Sequence, residues 1–189
     1  EGRLVIKQIT HEQIREGAAY HEAGHAVIAT TCGWSVNHEG VEIDDRAYTG
    51  LEVRRFQYRT SDQIHVNLAG WLSEYKFHGL GGLRENKELQ NMLEMIRTPA
   101  SADEDDIGSD DFLTFEALLK DHPNALDEEL IAKYRKYQND VMDELDEPVI
   151  WNAIETLAAL LLEKGKVECD EANELIEVIL DAYRKRLPI

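Results

Sequence analysis

Cysteine is almost missing from this chain, with only Cys32 and Cys169 among 189 residues. That excludes a disulfide framework and any metal site built on CxxC pairs, and it leads us to expect a reducing, cytoplasmic setting. Long hydrophobic runs are absent too. The longest, Leu157 to Leu162, falls far short of the ~20 residues that span a bilayer, so no membrane segment is expected. Glu1-Gly2-Arg3 opens on polar sequence rather than a signal peptide, and the missing initiator Met suggests that something preceded it. Positive charge is scarce: 20 Lys and Arg face 38 Asp and Glu, for a net charge of -18. A field of that sign argues against nucleic acid or anionic membrane as a partner. A small local cluster, Arg54, Arg55 and Arg59, is the exception.

What remains is an ordinary globular composition, 43% hydrophobic and 31% charged, of a size that buries one core. Residues 11–32 have helical periodicity, with Thr10 as N-cap, Gln13 three residues on, and Cys32-Gly33 as the stop. Strand-like stretches at 36–44 and 49–58 flank a turn at Asp45-Arg46 and predict a hairpin. Thr60-Ser61-Asp62 is expected to cap a helix over 62–77, which Gly79, Gly81 and Gly82 break. A short helix over 84–97, a polar loop over 98–108 and a helix over 110–120 capped by Ser109-Asp110 follow. Three long helices near 126–145, 148–164 and 170–186 finish the chain. Pro148 suits a first helical turn and Gly165 a C-cap. No repeat or low-complexity segment interrupts this order. The expected fold class is mainly α, of α+β type: a long first helix, a small hairpin or sheet, and a C-terminal helical bundle.

One motif carries chemistry: His21-Glu22-Ala23-Gly24-His25, an HExxH sequence. Residues four apart on a helix share a face, so His21 and His25 can reach one metal ion. Glu22 lies beside that face, where it can take a proton from a water and pass it to a leaving amine. Two imidazoles and one oxygen suit zinc, with a fourth position open. Two core histidines at chance spacing are the alternative; residue frequencies give HExxH on the order of once in a hundred chains of this length. The setting favours the metal. Ala18, Ala19, Ala23, Gly24, Ala26, Val27, Ile28 and Ala29 make the helix small and apolar, an odd home for two imidazoles without a ligand. Gly24 costs about 1 kcal/mol against Ala inside a helix, which predicts close approach by another backbone.

The stretch Ala19-Tyr20-His21-Glu22-Ala23-Gly24-His25-Ala26-Val27 closely resembles the zinc helix of the FtsH-type metalloprotease family, peptidase domains joined to AAA+ ATPases. Val41-Glu42-Ile43 with Thr49-Gly50-Leu51 is similar to the family's hairpin beside the active site. Leu68-Ala69-Gly70 with Glu74 and Gly79 is similar to the helix that follows, and Ser109-Asp110-Asp111-Phe112 to the start of a later one whose Asp is the third zinc ligand. The resemblance implies a zincin-like metallopeptidase core over 1–122, with 123–189 as the helical part of the same domain. It implies one zinc per chain, held by His21, His25 and Asp111, and Glu22 as the catalytic base. Asp106, Asp110 and Glu74 remain rivals for the third position. The substrate would be an extended polypeptide lying along Thr49, Gly50 and Leu51, at a strand edge over 49–53. No AAA+ module is present, and Gly79-Leu80-Gly81-Gly82 lacks the Lys-Ser/Thr of a phosphate-binding loop. A separate ATPase or a homo-oligomer is therefore an expected partner. A zincin fold kept as a non-catalytic binding module is the second expectation.

Overall fold

The computed structural model describes residues 10–44, 47–53, 59–79, 85–97 and 109–185. The expected loop over 98–108, the strand residues 54–58, Gly81, Gly82 and the cluster residues Arg54 and Arg55 lie outside the described residues. Seven helices and a three-stranded antiparallel sheet are found among them, which agrees with a mainly α chain.

Helix α1 spans His11–Thr31 and opens on a capping box. The Thr10 hydroxyl accepts from the Gln13 N–H, and the Gln13 side chain accepts from the Thr10 N–H. Strands β1 (Trp34–Glu42) and β2 (Tyr48–Val53) form the hairpin. Helix α2 (Thr60–Phe77) then packs along α1 more extensively than any other pair of elements. Its N-cap is Arg59, with no side-chain cap bond. The expected cap residue Thr60 instead sends its hydroxyl to Asp121, 2.9 Å away, so a tertiary contact displaces the local one. Helices α3 (Asn86–Arg97), α4 (Asp110–Asp121), α5 (Asp127–Asp146), α6 (Pro148–Lys164) and α7 (Cys169–Arg184) complete the bundle. Pro148 opens α6, and Gly165 ends it at φ +76°, the left-handed region that a side chain resists.

A third strand, β3 (Lys166–Val167), was not expected from the sequence. It pairs with β1 opposite β2, giving the order β2-β1-β3. Two residues are too short for an alternation signal, so nothing in the sequence betrays it. Asn173 of α7 extends this side of β1: its amide accepts from Val36 N–H and donates to Val36 carbonyl, at 3.0 and 2.9 Å. Among the described residues β2 is thus an outer strand of the sheet, on the side away from β3. Between the Val36–Leu51 and Val41–Thr49 pairs, β1 bulges. Gly50 stands opposite the bulge, where a β-carbon would strike the side chains of Asn37 and Glu39.

The core runs through α1, α2, α5 and α6, with Ala19, Ala23, Ala26, Leu68, Leu72, Tyr134, Ile154 and Leu157 all buried. Two long cations close helix ends around it. Lys76 donates to the Leu145 carbonyl at 2.6 Å, at the end of α5, and Arg15 to the Leu162 carbonyl at 2.7 Å, in the last turn of α6. The expected close approach at Gly24 is found: a β-carbon there would run into Ser73 Oγ and the Ala69 carbonyl of α2.

A test follows from that crossing. In an exposed helix Gly→Ala stabilises by about 1 kcal/mol. Gly24→Ala is expected to destabilise by roughly 1–3 kcal/mol, the usual cost of overpacking. Chemical denaturation reads the sign, and a gain in stability would remove the close crossing.

Candidate metal centre

Four elements meet at one cleft of about 510 Å³. Helix α1 supplies His21, Glu22 and His25; β2 and the residue before it supply Ala47, Tyr48, Thr49 and Leu51. Val66, Asn67 and Trp71 come from α2, and Ser109, Asp110 and Asp111 from the start of α4.

The two imidazoles lie one turn apart with ring centroids 4.9 Å from each other. Each is fixed through Nδ1. His25 Nδ1 is 2.7 Å from the Val66 carbonyl, which can only accept, so this nitrogen bears the hydrogen. His21 Nδ1 is 3.4 Å from the Glu74 carboxylate, which accepts in the same way. Both Nε2 atoms are thereby turned towards a common point, the arrangement a metal ligand needs. Helix α4 brings a carboxylate to that point: Asp110 Oδ2 is 3.1 Å from His21 Nε2 and 3.4 Å from His25 Nε2. Among the described residues, His21, His25 and Asp110 are the group whose ligand atoms could hold a metal ion.

The expected third ligand, Asp111, is corrected by this geometry. Successive helical residues are turned by about 100°, so Asp110 and Asp111 cannot serve the same point. Asp111 continues the stripe of Thr114, Phe115 and Leu118 into the core, where it is buried. There its carboxylate accepts a hydrogen bond from the Tyr134 hydroxyl of α5, while the Tyr134 ring stacks on Phe115. Asp110 faces the histidines instead. Glu74, another rival, stands behind His21 at the far nitrogen from Asp110. Asp106 lies outside the described residues.

The electrostatics of the cluster favour positive charge. Burial alone would pull the His21 imidazole down, but hydrogen bonds to Asp110 and Glu74 outweigh it and raise the group to about 10. Burial would likewise raise Asp110, yet its hydrogen bonds with His21 and His25 take it well below the usual carboxylate range. The bond from His21 also lowers Glu74. A divalent ion would supply the same charge at the same point, displacing the His21 proton at neutral pH.

The donor set fits such an ion, since two imidazole nitrogens and one carboxylate oxygen are a zinc-type set. So does the space. At Gly70 on α2, a β-carbon would strike Nε2 of both His25 and His21. Only glycine leaves room there for an ion between the imidazoles.

Glu22 is 4% exposed and forms part of the cleft wall. Of the three expected substrate residues, Thr49 and Leu51 line the cleft, while the small size of Gly50 serves the bulge in β1. Thr49 turns its hydroxyl onto Glu22, a contact that no sequence pattern signals. Gly70 could have been found, because a glycine inside α2 asks the same question as Gly24.

Comparison with protein-family models and with curated proteins finds no match to this chain.

Exchanging each aspartate separates their duties. Asp110→Asn is expected to weaken zinc binding by at least about tenfold while the fold holds, since it removes a charged ligand. Asp111→Asn is expected to keep the metal but cost about 1–3 kcal/mol of stability, the usual loss for a disturbed buried hydrogen bond. Titration with zinc and thermal unfolding read the two, and the reverse pattern would restore Asp111 as the ligand.

Proposed function

We propose that this chain is a zinc-dependent endopeptidase acting on extended or unfolded polypeptides, like the FtsH-type peptidase domains that its first helix resembles. One observation carries the reading. His21, His25 and Asp110 converge from two helices, Glu22 stands beside them, and the wall facing them is the edge strand of the sheet. A set of metal-type donors, a base and an outer strand of the described sheet are the parts that peptide hydrolysis by a metal-activated water requires.

An extended peptide would add to β2 by main-chain hydrogen bonds, the economical way to bind a chain without regard to its full sequence. Leu51, Val66 and Trp71 offer an apolar wall for one side chain of that peptide. Zinc held by His21, His25 and Asp110 would supply Lewis acidity to the scissile carbonyl and to an attacking water. Glu22 takes the proton from that water as it attacks and returns it to the departing amine. The low accessibility of Glu22 keeps bulk water from competing for its proton. Glu74 and the Val66 carbonyl keep both imidazoles turned with Nε2 inward, so their entropy is already lost before substrate arrives.

Unstructured chains are expected to be cut without ATP, and folded ones only with the help of an ATPase. No helix among the described residues is long and apolar enough to cross a membrane.

Glu22→Gln is the direct test. The amide keeps the size of the side chain but takes no proton at neutral pH. The variant is expected to fold, to bind zinc as the parent does, and to cleave a casein-like chain roughly 10²–10⁴-fold more slowly. Equal rates would discard the mechanism. A zinc-loaded parent that cuts no unfolded chain, alone or with an ATPase, would favour a non-catalytic binding module.

A further inference from the structure

We infer that Thr49 is the positioning residue of the base, holding the Glu22 carboxylate in one orientation. The inference rests on the endopeptidase reading above and deepens it. Thr49 Oγ1 lies 2.7 Å from Glu22 Oε2 and 3.0 Å from the Glu22 carbonyl. A hydroxyl has one proton to give, and the nearer carboxylate oxygen is the stronger acceptor. Oε2 is therefore engaged from β2, and Oε1 is left for the water. Glu22 is buried and has three side-chain torsions, the last of which sets the carboxylate plane and is the one that the bond from Thr49 fixes.

The holder is itself well fixed. Thr49 is β-branched and stiff at χ1, and it pairs with Val41 across the hairpin. The same strand is the edge to which a peptide would add. Strand, hydroxyl and base thus form one mechanical unit, and a peptide bound along β2 is registered against the carboxylate that serves its cleavage. Misplacing a reacting group by about 1 Å can cost on the order of 10² in rate.

The test compares Thr49→Val, which keeps the shape and removes the O–H, with Thr49→Ser, which keeps the O–H. With zinc loaded, Thr49→Val is expected to lower kcat about 10–100-fold with KM within about twofold, and Thr49→Ser to restore most of kcat. Unchanged kcat in Thr49→Val, or a loss confined to KM, overturns the inference; the latter would make Thr49 a substrate contact. Crystal structures of the zinc-loaded parent and Thr49→Val give a readout independent of turnover. Glu22 is expected in one rotamer on Thr49 in the parent and spread or turned in the variant. An unmoved Glu22 overturns the inference even if no peptide is cut. An inactive parent, or a Glu22→Gln variant as active as the parent, strikes at the endopeptidase reading instead, and the rotamer comparison still decides the role of Thr49.

Discussion

Helices α1 and α2 lie so close that neither Gly24 of α1 nor Gly70 of α2 has room for a β-carbon. A β-carbon on Gly24 would strike Ser73 and the Ala69 carbonyl, and one on Gly70 would strike both imidazoles. Everything at the cleft depends on this approach. It brings the Val66 carbonyl within reach of His25 and Glu74 within reach of His21. Those two bonds aim both Nε2 atoms at one point. The approach extends along the pair to Gly17 on α1, where a β-carbon would meet the Glu74 carboxylate of α2. The glycines cost helix stability locally, and burial along the crossing offsets it.

Against that pair the rest of the chain adds one part each. Helix α4 adds Asp110 at its first turn, where the positive end of the helix dipole also steadies a carboxylate. Helix α5 holds α4 in rotation, because the Tyr134 hydroxyl grips Asp111 and leaves Asp110 facing the histidines. The sheet adds an edge strand, with Thr49 reaching across to Glu22. The charge pattern has the same logic. Two carboxylates, one on each side of His21, raise its basicity strongly, so the site favours a cation at its centre.

Much of this was legible in the sequence, for physical reasons that can be named. The helix α1 announced itself through Thr10, Gln13 and a long apolar stripe, and its HExxH spacing put two imidazoles on one face. Gly24 announced the close crossing, because a helix-interior glycine among alanines has no other use. Pro148 and Gly165 marked the ends of α6. The structure turns Asp110 rather than the expected Asp111 towards the histidines, and a signal for that is in the sequence: Asp111, Phe115 and Leu118 share a stripe, and a stripe that enters the core takes its first residue with it. The cap at Thr60 failed because a tertiary partner, Asp121, outbid a local one. Neither β3 nor the bond from Thr49 to Glu22 left a trace, since a two-residue strand and a contact across 27 positions have no periodicity to show.

The central claim is that the α1–α2 crossing and the first turn of α4 build one metal centre. Anomalous diffraction at the zinc edge, from crystals of the zinc-loaded protein, tests it most directly. A single strong peak is expected between Nε2 of His21 and His25, about 2.0–2.2 Å from an Asp110 oxygen. No peak there, or a peak held by Asp111 or Glu74 in place of Asp110, would contradict the account.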